Sequence, residues 1–216
     1  MSDIHGHLDN LQRVLLKEVS IDTILVAGDI THFGPGEVIR EFDNICAELA
    51  GDACVYFVLG NCDPFSEIEP LLPSLRGQFL HSRFISRDGL SLAGISGGLL
   101  SIFHTVNEKG ELIFQNEVEK IEDQLNSLPP AFTILVTHQP GQGSLDRVML
   151  NHVGSPAIRR LQPRFRLHVC GHIHEALGTV QTADTYVVNP GPLKKGYYAL
   201  GYIDNSQLTH VELKKI

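Results

Sequence analysis

The chain has 216 residues, 43% of them hydrophobic, and a formal net charge of −8. That size and apolar content suit one domain over residues 1–216, and the acidic balance speaks against a general nucleic-acid binder, which would carry a basic face. No apolar run reaches the roughly 20 residues needed to cross a bilayer and no leader pattern opens the chain, so a cytoplasmic protein with no membrane attachment is expected.

In chain order, Asp3-Ile4-His5 comes first, with only Met1 and Ser2 before it. Later polar turns of this kind each follow an apolar run. The expectation is therefore a first strand of about five residues ahead of Asp3, truncated or lost to a late start, whose absence leaves its neighbours unpaired and the core open. Leu8, Leu11, Val14, Leu15 and Val19 then share a helical face. Ile21–Ala27 reads as a buried strand ending at Gly28-Asp29. A second helical face carries Val38, Ile39, Phe42, Ile45, Cys46 and Leu49. Cys54–Leu59 is the next strand and ends at Gly60-Asn61-Cys62-Asp63. Leu71, Leu72 and Leu75, between and after Pro70 and Pro73, read as short helical packing.

Gly89–Ile95 reads as a strand, and Ser96–Gln115 as a long loop or small flap. Asn116 with Glu119 three residues on looks like a helix start, followed by Ile121 and Leu125. Phe132–Val136 is a strand ending at Thr137-His138, and Leu167–Cys170 one ending at Gly171-His172-Ile173-His174. Thr185–Val188, Tyr197–Ile203 and Leu208–Leu213 complete the strands, with Asn189-Pro190-Gly191-Pro192 as a turn. Strand–helix alternation followed by closely spaced strands predicts an α/β fold with a second, partly antiparallel sheet. The four cysteines (Cys46, Cys54, Cys62 and Cys170) form no C-x-x-C pair and read as free thiols.

Ligands gather beyond the carboxyl ends of strands in α/β sheets. If the strands are parallel neighbours, their turns bring Asp3, His5, Asp29, Asn61, His138, His172 and His174 into a small volume. Carboxylates packed together need a counter-charge, which divalent cations supply. Mixed oxygen and nitrogen donors without thiolate suit Mn, Fe, Zn, Ni or Co. Seven donors are too many for one tetrahedral ion and about right for two, the usual arrangement for hydrolysing phosphate esters.

The five blocks Asp3-Ile4-His5, Gly28-Asp29, Gly60-Asn61-Cys62-Asp63, Thr137-His138 and Gly171-His172-Ile173-His174 stand in order across residues 3–174. In this the chain resembles the calcineurin-like metallophosphoesterases, and most closely their small prokaryotic phosphodiesterase branch, with its G-N-C-D block. The resemblance implies a four-layer αββα sandwich of two mixed sheets flanked by helices. It also implies two metal ions, Mn²⁺ foremost. Asp3, His5 and His174 would hold the first, Asn61, His138 and His172 the second, and Asp29 would bridge them. A bridging hydroxide would attack the phosphorus of a small phosphate ester, most readily a diester, with Asp29, Asn61 and His138 as the catalytic set. Many members carry His where Cys62 stands, as proton donor to the leaving group; its replacement predicts a preference for good leaving groups. Asp63 is expected either to orient a ligand histidine or simply to form the turn.

Further candidates to line the substrate pocket are Cys62, His32, His104, Arg147 and His152. His81 and His210 read as surface residues, and His168 as structural. A catalytically silent scaffold of the same fold that binds a protein partner is the alternative, and a protein phosphatase a third reading, disfavoured by Cys62 and the small size. Sheet edges and the flap offer a surface for a homodimer.

Overall fold

A computed structural model describes residues 1–87, 89–99, 108–125 and 132–216. After the segment 1–7 come helix α1 (Leu8–Lys17), strand β1 (Thr23–Ala27), helix α2 (Val38–Leu49), β2 (Cys54–Val58), the single-turn α3 (Phe65–Ile68), a 3₁₀ stretch (Glu69–Ser74) and β3 (Gln78–Phe79). Next are β4 (Phe84–Arg87), β5 (Leu90–Ile95), α4 (Glu108–Leu125), β6 (Phe132–Thr137), a small hairpin of β7 (Arg147–Val148) and β8 (Asn151–His152), α5 (Pro156–Leu161) and β9 (Leu167–Val169). The chain closes with β10 (Gly178–Gln181), β11 (Tyr186–Asn189) and a long hairpin of β12 (Tyr197–Asp204) and β13 (Gln207–Lys215).

One sheet has the order β1-β2-β3 and is parallel throughout. The other has the order β10-β11-β9-β6-β5-β4, with a parallel centre (β11, β9, β6, β5) and antiparallel β10 and β4 at its edges. Side chains alternate across each strand, and each face finds its own core. Ile24, Val26 and Phe57 pack with Leu11, Val14, Ile39 and Phe42 of α1 and α2. From the opposite faces, Ala27, Tyr56 and Val58 meet Leu92, Ile134, Val136 and Val169 of the six-stranded sheet. That sheet's other face, through Ala93, Ile95 and Leu135, packs on Ile121 of α4 and Ile158 and Leu161 of α5.

Met1–Asp3 runs beside β1. The Met1 nitrogen donates to the Leu25 carbonyl at 2.8 Å, the Ala27 N–H to the Met1 carbonyl at 2.9 Å, and the Asp3 N–H to the Gly28 carbonyl at 3.0 Å. Its other side faces the segment before β12, where the Leu193 N–H donates to the Ser2 carbonyl at 2.9 Å.

The structure changes several sequence expectations. Val19 lies past the end of α1 and is 83% exposed, because the helix stops at Lys17 before the Val19-Ser20 turn. α4 begins at Glu108, well before Asn116; the Glu, Lys, Leu and Gln residues upstream are good helix formers and extend it through the second half of the expected loop. The 3₁₀ stretch bears out the short helical packing at Leu71 and Leu72. No helix among the described residues is long and apolar enough to cross a membrane.

Candidate metal centre

Four loops meet at the carboxyl ends of β1, β2, β6 and β9, and the segment after Met1 joins them. The strands are neighbours in pairs, β1 with β2 and β6 with β9, in two different sheets. The convergence therefore lies where the two sheets pack, and not along one sheet edge as a single set of parallel neighbours would give.

The Asp3–His5 turn is held by backbone: the His5 N–H donates to the Asp29 carbonyl at 2.8 Å and the Gly6 N–H to the Ile30 carbonyl at 2.9 Å. Asp3, His5, Asp29 and His172 all take a left-handed backbone (φ 53°, 49°, 52° and 67°) although none is glycine. Such conformations cost on the order of 1–3 kcal/mol each and persist where surrounding contacts enforce them. Here they aim each side chain inward.

Asp3 Oδ1 lies 3.0 Å from His174 Nε2 and 3.9 Å from His5 Nε2. Asp29 Oδ2 lies 3.6 Å from His5 Nε2 and 3.4 Å from His138 Nε2. Asn61 Oδ1 is 3.1 Å from His138 Nε2. The His138 and His172 rings meet edge to face, 5.0 Å between centroids. Asp3, His5 and His174 form one set of donor atoms close enough to share an ion, and Asp3, Asp29 and His138 another. Ligands roughly 2.0–2.2 Å from an ion stand about 3–4 Å from each other, as these do. His5 Nε2 is buried, has no hydrogen-bond partner among the described residues, and points between the two carboxylates. An orphaned imidazole nitrogen facing two buried carboxylates costs free energy unless a cation takes the place between them. The residues present thus fit a metal.

The remaining oxygens and nitrogens are tied down. Asp29 Oδ1 accepts from the Cys62 N–H at 2.8 Å, and His138 Nδ1 donates to the Ala27 carbonyl at 2.7 Å, which leaves its Nε2 free of a proton once a cation is bound. Asp3 Oδ2 takes the Ser2 hydroxyl and the His172 N–H. Of the two roles expected of Asp63 it takes the turn-forming one, and among the described residues it bonds no histidine. Its carboxylate accepts the N–H groups of Thr31 (2.7 Å), Gly60 (2.8 Å) and Ile30 (3.2 Å), locking the Asp29 loop to the Asn61 loop. A Cβ on Gly60 would stand 2.1 Å from Asp29 Oδ1, so only glycine lets the two loops close.

The electrostatics follow from this packing. Burial works against charge on Asp29, yet His138, the Cys62 N–H and His5 hold its carboxyl well below the usual range. Burial likewise opposes charge on Asp3, and the His174 hydrogen bond and His138 outweigh it. Burial opposes protonation of His138, but Asp29 and Asp3 hold it up at about 9. Burial brings His5 down to about 4, against the pull of Asp29; burial and the His138 charge bring His172 to about 4. The site draws one positive charge onto His138 in place of a cation.

Of the pocket candidates, His32 is exposed and its Nδ1 sits 3.1 Å from His5 Nδ1. Cys62 is buried, and burial with the nearby Asp29 pushes its thiol far up, making it a poor proton donor. Arg147 and His152 lie on the β7–β8 hairpin, which packs beside the His174–Ala176 turn. Their polar contacts among the described residues are with each other (3.4 Å) and, for His152, with buried Asp146 (2.7 Å). His104 lies outside the described residues. His81 is half-buried, not a surface residue: its Nδ1 accepts the Ser96 N–H at 3.0 Å. His168 is buried and bonds Thr137 Oγ1 at 2.8 Å, a structural role as expected.

Three supporting residues escaped sequence reasoning. Asn189 donates to the Ile173 carbonyl at 2.9 Å and accepts the Gly191 N–H, anchoring the His172–His174 loop. The Asn-Pro-Gly turn was its signal. Gly98 lies against Asn61, His138 and His172, where a Cβ would come within 2.7 Å of Asn61 Oδ1. Asp146 ties Gly143 and Gly154 together at 3.0 Å each.

The model of the calcineurin-like phosphoesterases matches residues 1–176, which take in every residue of this centre. The chain belongs to that family. An uncharacterized Methanocaldococcus jannaschii protein, MJ1162, is 34% identical over 207 residues, covering 92% of this chain and 88% of its own. TT1561 of Thermus thermophilus shares the fold at a TM-score of 0.73 and 17% identity, over 100% of this chain and 96% of its own. A dimetal phosphatase from Danio rerio does so at 0.61 and 16%, over 93% of this chain and 84% of its own. The archaeal relative matches the chain over most of both lengths, and the family is one of metal-dependent phosphoesterases.

Proposed function

We propose that the chain hydrolyses a small phosphate ester, most readily a diester, at a centre of two divalent ions. The observation that carries this reading is the His5 Nε2, aimed between Asp3 and Asp29 and without a hydrogen-bond partner among the described residues. Asp3, His5 and His174 would hold one ion, Asn61, His138 and His172 the other, and Asp29 would face both. When bound, such a pair supplies a water of lowered pKa and neutralises the phosphoryl oxygens. Mn²⁺ is the first choice for these oxygen and nitrogen donors, and Fe, Zn, Ni or Co also suit them.

The chain's own groups orient the reaction. Asp63 fixes the Asp29 and Asn61 loops relative to each other, and the Ala27 carbonyl fixes the His138 tautomer. Exposed His32 stands beside His5 at the rim, where a substrate oxygen would enter. With Cys62 buried and its thiol pushed up, the leaving group departs without help from that position, which favours aryl esters and diesters with acidic alcohols. We also infer that the three cores stack as a four-layer αββα sandwich.

The test is hydrolysis of bis-p-nitrophenyl phosphate with and without Mn²⁺, alongside Asp29→Asn. The reading requires metal-dependent turnover that Asp29→Asn removes. Turnover unchanged by chelation, or kept in Asp29→Asn, overturns it.

A further inference from the structure

The two-ion arrangement leaves one group of donors unused. His5 turns its Nε2 toward Asp3 and Asp29 and its Nδ1 toward exposed His32, whose own Nδ1 stands 3.1 Å away. Cys62 completes the group: a ring nitrogen of His5, a ring nitrogen of His32 and Cys62 Sγ all lie within 4.8 Å of one another. Asn61 Nδ2 donates to that sulfur at 3.5 Å, a contact that favours a thiolate. None of the seven residues of the pair supplies sulfur, so this trio is a donor set of a different kind.

Two imidazole nitrogens 3.1 Å apart share a proton, since two lone pairs at that distance repel. A cation can take the proton's place. The ligands of one tetrahedral Zn²⁺ stand roughly 3.3–3.6 Å from each other, so the trio is within reach of a single ion. Two nitrogens and a thiolate are softer than the donors of the pair and select Zn²⁺ or Cu⁺ over Mn²⁺. Binding sends the Cys62 thiol proton to solvent, and the ion's charge offsets the new anion beside Asp29. Exposed His32 gives entry from solvent and leaves a fourth position to water.

A neutral imidazole carries one proton and offers one lone pair. When His5 gives Nε2 to the first ion of the pair, its Nδ1 holds the proton and donates it to His32. When Nδ1 holds a metal, the proton sits on Nε2, facing Asp3 and Asp29. The two ligations exclude each other. We propose that His5, His32 and Cys62 form a further metal site, for a thiophilic ion of the Zn²⁺ kind, whose occupation withdraws His5 from the first ion of the pair. Ligation by the trio is independent of the two-ion reading; the withdrawal of His5 rests on it.

Co²⁺ is the probe for ligation, because its bond to thiolate gives a charge-transfer absorption that nitrogen and oxygen ligands do not. The metal-free chain, Cys62→Ser and His32→Ala are titrated with Co²⁺ and then with Zn²⁺. The unaltered chain should develop the band, and Zn²⁺ should remove it. Cys62→Ser should show no band, and His32→Ala, at an exposed position that does not endanger folding, should need at least about tenfold more Co²⁺. In a second arm each protein is loaded with Mn²⁺, and turnover of bis-p-nitrophenyl phosphate is measured before and after equimolar Zn²⁺. Zn²⁺ should cut the unaltered chain's rate at least about tenfold and leave each variant most of its own Mn²⁺ rate. Absence of the band in the unaltered chain, or a band kept in Cys62→Ser, overturns the site. Equal inhibition of all three proteins with the band present overturns the withdrawal of His5, because exchange of ions within the pair would act on each alike. Absence of any Mn²⁺-dependent turnover overturns the two-ion reading and the withdrawal with it, and the band then decides by itself whether the trio binds metal.

Discussion

At the carboxyl end of β1, the carbonyls of Gly28–Ile30 receive three N–H groups from Asp3, His5 and Gly6, and the N–H groups of Ile30 and Thr31 go to Asp63. At the amino end of the same strand, Thr23 and Leu25 line an apolar cavity of about 840 Å³. One end of a five-residue strand is over-determined and the other is open. The difference shows that the centre is held by cross-bonded loops local to it. Four left-handed ligand conformations survive at a position where the loops brace one another, and they do not need the far end of the sheet to be filled.

The largest effect should come from breaking the braced end at a ligand. His138→Ala removes a donor for metal together with the brace to the Ala27 carbonyl, and several kcal/mol of lost stabilisation correspond to about 10³-fold or more in kcat/KM. Steady-state assays with bis-p-nitrophenyl phosphate check this, and a loss under tenfold would show that His138 does not belong to the centre. Gly60→Ala should come next. Its methyl group would collide with Asp29 Oδ1, costing about 1–3 kcal/mol of stability, and Mn²⁺ affinity should fall with it; chemical denaturation and calorimetric titration read both.

The same end sets the pH dependence of the metal-free protein. His138 holds its proton to about pH 9 when folded, against 6.5 when unfolded, so its contribution is full below 6.5 and is lost as pH rises through about 9. His5 and His172 are held down to about 4, so their contribution is present above 6.5 and is lost as pH falls through about 4. Thermal midpoints with chelator present should peak near pH 6.5, and a monotonic rise to pH 9 would contradict this balance. At the open end the effect should be the smallest: Val19→Ser, at an 83% exposed position beside the cavity mouth, should leave activity unchanged and stability within about 0.5 kcal/mol. A large activity loss there would mean the two ends are coupled.

What could be read from the sequence follows the same division. Asp29, Asn61, His138, His172 and His174 stand out because chemistry demands their types on the turns that follow apolar runs, Asp3 and His5 open the chain in the same style, and the structure brings all seven together. The strands were legible from their composition: β1, β2, β6 and β9 are short runs rich in Val, Ile, Leu and aromatic residues. Their grouping into two sheets was not, since apolar runs do not say which strand pairs with which. The two readings of Asp63 could not be separated because its partners are backbone N–H groups, which leave no trace in residue identity. The left-handed turns at Asp3, His5, Asp29 and His172 were hidden because the residue usually diagnostic of that conformation, glycine, is absent from those positions. The start of α4 was misplaced because a good capping residue, Asn116, lies inside a longer stretch of helix formers.

The central claim is that loops from Asp3 to His174 hold two cations that Asp29 faces in common. Titration of the metal-free protein with Mn²⁺, followed by electron paramagnetic resonance and elemental analysis, tests it most directly. The account predicts two ions per chain with a spin-coupled signal, and loss of that coupling in Asp29→Asn. A single isolated Mn²⁺ signal, or no bound metal at all, would contradict it.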